Sequence, residues 1–162
     1  MSDLLAPPFG QALTAAVLAL NNAHAEELSF QTPKQFAQLI AAASHVRAEA
    51  QGLALIVAFD AACRYDNPNF DWLKQRFPNF YYIDRVVVSA LARGRGLARR
   101  FYAGLEERAR QEGRERLVCE INSNPPNPQS DAFHLALGFR PVGSQDLAGR
   151  GKTVRYWAKD LS

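Results

Sequence analysis

At 162 residues the chain is long enough for one hydrophobic core, and 48% hydrophobic with 22% charged residues is ordinary globular usage that excludes a disordered polypeptide. The expectation is a single domain over residues 1–162. A net charge of +3 and a sequence pI near 9.1 admit anionic partners without demanding them, and the broad basic surface interleaved with aromatics that nucleic-acid binding needs is missing.

Residues 4 to 25 carry no formal charge at pH 7, but Pro7, Pro8, Gly10, Asn21 and Asn22 interrupt them, so no membrane span is expected. No basic segment precedes them, which argues against a secretory signal and for a cytoplasmic protein. Leu13, Val17 and Leu20 at i, i+4 and i+7 predict a helix over 11–21. Asn22 to Gln31, containing Glu26 and Glu27, reads as a polar connection. A second helix follows Thr32-Pro33, with Thr32 as N-cap and Pro33 at its first position, and buries Phe36, Leu39 and Ile40. His45 to Ala50 and Leu53 to Asp60, parted by Gln51-Gly52, read as a β-hairpin. Residues 62–79 hold Asn67-Pro68, Pro78-Asn79 and several aromatics, and read as a loop or short helix.

Tyr81 to Ser89 is almost continuously apolar apart from Asp84 and Arg85, as in the centre of a sheet. A helix over 97–111 buries Leu97, Phe101, Leu105 and Ala109. A strand over 116–122 comes next, then a proline-rich loop, then a short helix that ends at Gly138 with Phe139 packing back. Two last strands, Arg140 to Val142 and Thr153 to Lys159, flank a loop over 143–152. The order describes one mixed α/β (α+β) layer structure. Cys63 and Cys119 lack metal-ligand spacing, no metal is expected, and Cys119 reads as a small packed hydrophobe.

The turn Arg93-Gly94-Arg95-Gly96-Leu97-Ala98 joins the central strand to the 97–111 helix. Free N–H groups and the positive end of the helix dipole converge there, and Gly96 and Ala98 keep side chains clear of an approaching anion. Arg93, Arg95, Arg99 and Arg100 are the arginines that no nearby carboxylate balances. A tight connection alone needs one glycine, not paired small residues beside four arginines. A dinucleotide fold is disfavoured, because Gly94-x-Gly96-x-x-Arg99 lacks the third glycine and βαβ repetition is absent.

The turn fits Arg/Gln-x-x-Gly-x-Gly/Ala. Further on, Asn127-Pro128-Gln129-Ser130 leads through Phe133-His134 to Leu137-Gly138-Phe139. With these motifs so placed, the chain resembles the GNAT superfamily of N-acetyltransferases over residues 45 to 160. The resemblance implies a GNAT-type mixed, mostly antiparallel central sheet with helices on both faces. It implies an acyltransferase that moves acetyl from acetyl-CoA to a primary amine by direct attack in a ternary complex. The N–H groups of Arg95, Gly96, Ala98 and Arg99, with Arg93 and Gly94 in the same turn, would hold the CoA pyrophosphate. The main chain of Val86 and Val88 would pair with the pantetheine arm in a gap between the fourth and fifth strands. Asn127 would bond near the pantetheine or thioester. His134 stands where the family often has a tyrosine that protonates the departing thiolate. The family's usual first strand is not evident before residue 11.

Each candidate also has a plainer reading. Asp84, buried in a strand, is either the base that draws a proton from the amine or an ion-pair partner of Arg85. His134 is either the acid or a packed histidine, and its imidazole would be largely neutral at pH 7 unless a carboxylate raised it. Glu26 and Glu27 either hold a cationic amine or belong to a solvated turn. Asn127 is a natural N-cap, which does not exclude contact with CoA. The segment Tyr65 to Trp72 is either a wall of the acceptor site or a loop anchored by its aromatics. A non-catalytic acyl-CoA-binding module and a basic nucleic-acid-interaction domain are the other function classes, and homodimerisation is left open.

Overall fold

The computed structural model describes residues 2–162. Seven strands form one sheet: β1 (Leu4–Leu5), β2 (His45–Glu49), β3 (Ala54–Asp60), β4 (Phe80–Val88), β5 (Arg116–Asn124), β6 (Arg140–Leu147) and β7 (Lys152–Asp160). Their spatial order is β1-β2-β3-β4-β5-β7-β6. Every neighbouring pair is antiparallel except β4 and β5. The helices are α1 (Gln11–Ala23), α2 (Ala25–Leu28), α3 (Pro33–Ala42), α4 (Pro68–Arg76), α5 (Leu97–Gln111) and α6 (Pro128–Ala136). Among the described residues no helix is long and apolar enough to cross a membrane.

Strand alternation sends side chains to two faces, and each face has its own core. On one face Val17 of α1, Phe36 of α3 and Phe70 and Leu73 of α4 pack on Leu55, Val57, Phe59, Tyr82, Val118 and Tyr156. On the other, Leu97, Phe101, Tyr102, Leu105 and Ala109 of α5 pack on Ile56, Ala58, Tyr81, Leu117, Cys119 and Trp157. Helices therefore cover both faces, as the resemblance implies. Local sequence fixes where they start. Thr32 and Gln35 form a reciprocal capping box with Pro33 in the first turn of α3. Asn67 caps α4 by accepting from Asn69 N and Phe70 N.

Three expectations are corrected, and one pair of alternatives is decided. A first strand does exist, but Leu4–Leu5 pairs with Ala48 and Glu49 over two residues, too few for any period to show. The polar connection at 22–31 holds the single turn α2. Of the two readings of residues 62–79, the short helix is the one found, as α4. The expected loop over 143–152 shrinks to a turn at 148–151: β6 and β7 extend as a hairpin paired to Leu147 and Lys152, because Leu147 and Val154 reach the core.

The β2–β3 hairpin turn presses on α1. Gly52 has φ +79°, and a Cβ there would lie 2.5 Å from Ala16 Cβ. Gly52→Ala is expected to destabilise the protein by about 2 kcal/mol, through the left-handed backbone and the clash. Thermal denaturation should show a Tm about 4–8 °C lower.

Candidate active site

β4 and β5 pair only from Phe80 to Tyr82 against Arg116 to Val118. Beyond Tyr82 they separate, and a cavity of about 120 Å³ fills the split. Opposite β3, Val57 pairs with Arg85 and Ala58 with Ile83, which leaves Asp84 as the extra residue of a bulge. The cavity passes between the faces of the sheet. Glu27 and Leu28 of α2 line it on one side, Tyr102, Ser130 and His134 on the other, and Asp84, Val86, Glu120 and Asn122 lie along the split.

At one end of β4 the split adjoins the glycine turn. Val88, Arg93, Gly94, Gly96, Ala98, Arg99 and Phe133 line a cavity of about 420 Å³ there. Gly94 and Gly96 both have positive φ, 80° and 71°, which suits glycine and lets the chain enter α5 directly. From Arg93 to Arg99 no backbone N–H finds an acceptor among the described residues; Arg100 N, bonded to Gly96 O, is the first that does. A row of unsatisfied donors at the head of a 15-residue helix fits a pyrophosphate. Arg99 lies over the Phe133 ring at 5.9 Å. The Arg95 guanidinium turns back towards Leu91 O at 3.4 Å, and Arg95 is not part of the cavity lining.

Asp84 is fully engaged. Tyr65 donates to Oδ1 at 2.6 Å and Arg85 Nε to Oδ2 at 2.7 Å, with the Asp84 and Arg85 side chains 3% and 7% exposed. Asn21, wholly buried at the end of α1, accepts from Arg85 Nη1 and donates to Ser29 O. Asn22 clasps both backbone groups of Gln31. The segment carrying Glu27 is thus tied down over the cavity. Glu27 faces it, whereas Glu26 does not line it.

Glu120, which sequence reasoning passed over, is the carboxylate with spare capacity. Tyr82 donates to its Oε1 at 2.9 Å, and Oε2 is buried with no partner among the described residues. Burial, followed by the negative charge of Asp84, pushes its pKa up to about 8. The signal was available, since Glu120 interrupts an apolar strand just as Asp84 does.

His134 is buried, with both ring nitrogens occupied. Nδ1 donates to Ser130 O at 2.7 Å, so Nε2 is the acceptor for the Tyr102 hydroxyl, also at 2.7 Å. Burial lowers the His134 pKa, which keeps the ring neutral. Burial raises that of Tyr102, which keeps its proton. The proton shared at this point therefore belongs to Tyr102, a residue that sequence reasoning left unnamed. Asn127 caps α6 at Ser130 N and also lines the cavity.

The split between the two parallel strands and the glycine turn beside it both fall within the residues that a family model matches. The model of the acetyltransferase (GNAT) family covers residues 24–139. The chain belongs to that family. Solved structures share its fold. The ribosomal-protein-S18-alanine N-acetyltransferase from Escherichia coli has a TM-score of 0.67 at 13% identity, over 100% of this chain and 95% of its own. A putative phosphinothricin N-acetyltransferase has 0.69 at 17%, over 100% and 99%. A structure of the NatC complex bound to Gag peptide and CoA has 0.71 at 12%, over 99% of each chain. Among curated proteins, no sequence matches this GNAT chain.

Proposed function

We propose that this GNAT protein transfers acetyl from acetyl-CoA to a primary amine by direct attack within the β4–β5 split. The observation that carries the reading is the continuity of the site. Free N–H groups at Arg93 to Arg99 lead along Val88 and Val86 to a buried, proton-accepting Glu120. The pyrophosphate sits at the turn and the pantetheine arm lies beside β4. The amine enters from the α2 side, opposite Tyr102 and His134.

Glu120 acts as the base, and Asp84, held by Tyr65 and Arg85, raises its basicity. Glu120 takes one proton from the ammonium, the amine nitrogen bonds to the thioester carbon, and the C–S bond then breaks with its electrons on sulfur. The Tyr102–His134 pair supplies the proton to sulfur, and the remaining N–H proton of the adduct replenishes the pair. One proton is released overall, with the amide and free CoA thiol as products.

The test is thiol release from acetyl-CoA with a mixture of amines. Amine-dependent release is expected, and binding of acetyl-CoA without release would instead favour a sensor module. Tyr102→Phe and His134→Phe are each expected to lower kcat about 10- to 100-fold, with the KM for acetyl-CoA within about threefold. Unchanged turnover in both variants would remove the pair from the mechanism.

A further inference from the structure

The acceptor side of the split continues into a second cavity of about 80 Å³. The two share Glu27, Asp84, Arg85, Glu120 and Asn122, so these residues mark their junction. The junction is carboxylate-rich, with Asp84 neutralised locally by Arg85. The far end of the second cavity has the opposite character, being lined by Asn67, Asn69, Arg150 and Lys152.

Three observations make that end a site for an anion. Asn69 is 5% exposed and its Oδ1 accepts from the Tyr156 hydroxyl at 2.8 Å; its amide NH2 has no partner among the described residues. Lys152 Nζ is held at 2.7 Å by the main-chain carbonyl of Glu26, a neutral acceptor that fixes the ammonium without cancelling its charge. Among the described residues neither Lys152 nor Arg150 forms an ion pair, and neither does Glu27 in the same cavity. Opposite charges held apart across one small cavity complement a ligand that carries both signs.

We infer that the acceptor is a small zwitterion: an amine whose own anionic group, a carboxylate or phosphonate, is bound by Lys152, Arg150 and Asn69 while its ammonium meets Glu120 and Glu27. This rests on the acetyltransferase reading and narrows it from amines in general to amino acids and their phosphonate analogues. The size of the cavity supports a compact acceptor, and its charge order places the reacting nitrogen at the split.

The test measures thiol release from acetyl-CoA with free amino acids, aminophosphonates and the matching amines that lack the anionic group. Wild-type kcat/KM should be at least about tenfold higher for one of the anionic classes, and the better class identifies the anion. Lys152→Gln combined with Arg150→Gln should raise the KM of that class at least about tenfold, with kcat, and the kinetics of plain amines, within about threefold. Unchanged acetyl-CoA affinity by calorimetry confirms that the variant is folded. Plain amines used equally well, or an unmoved KM in the folded variant, would overturn the zwitterion inference alone. Release with no amine of any class would overturn the transferase reading and this inference with it.

Discussion

Replacing Glu120 by Gln is expected to lower kcat by about 10²- to 10⁴-fold, the range for losing a positioned base, with acetyl-CoA affinity within about threefold. The isosteric amide keeps the Tyr82 contact and cannot take a proton. In wild type the base form appears as pH rises through about 8. The rate should therefore climb to a plateau above that value, and the variant should lose the limb. Stability should move the other way. A carboxyl whose folded pKa is raised holds a proton that the unfolded chain has released, so its contribution is full below about 4.5 and is lost as pH rises to about 8. Denaturation of Glu120→Gln should lack that decline. A variant with wild-type kcat and an unaltered pH profile would return the base to another group.

Gly96→Glu should weaken acetyl-CoA binding by at least about 100-fold, because a carboxylate at the head of α5 faces the pyrophosphate with like charge. Among the described residues nothing lies within 4 Å of a Cβ at Gly96, so the protein should fold. The φ of +71° makes any side chain cost about 1–2 kcal/mol there. Gly96→Ala carries the same backbone strain without the charge, so it should bind acetyl-CoA more tightly than Gly96→Glu. Calorimetric titration of the three proteins separates strain from charge. Equal affinity in Gly96→Glu and wild type would place the cofactor elsewhere.

The glycine turn was legible because its geometry is local: strand, positive-φ residues and helix start are consecutive in the chain. Asn127 and His134 were legible as a spaced motif on α6. The partners that give His134 its state were not, since Tyr102 lies 32 positions away on the flank of a predicted apolar stripe. Glu120 was hidden by its neighbours. It stands between Cys119 and Ile121 in an apolar run, much as Asp84 interrupts β4. What divides the two carboxylates is tertiary: Tyr65 and Arg85 fill the oxygens of Asp84, while Oε2 of Glu120 has no partner among the described residues. Asn21 read as an interruption of an apolar segment, and it ties α1 to Arg85 and Ser29. The last two strands were read too short because Gly143, Gly149 and Gly151 signal a loop, while pairing across the strands and burial of Leu147 and Val154 extend β6 to Leu147.

The most direct measurement follows an isotopically labelled acetyl group from acetyl-CoA by mass spectrometry, in the presence of amino acids, aminophosphonates and plain amines. The label should appear on the amine nitrogen in step with free CoA thiol, and at no stage on the protein. Labelled protein, or bound acetyl-CoA that persists with every amine unmodified, would contradict direct transfer in the β4–β5 split.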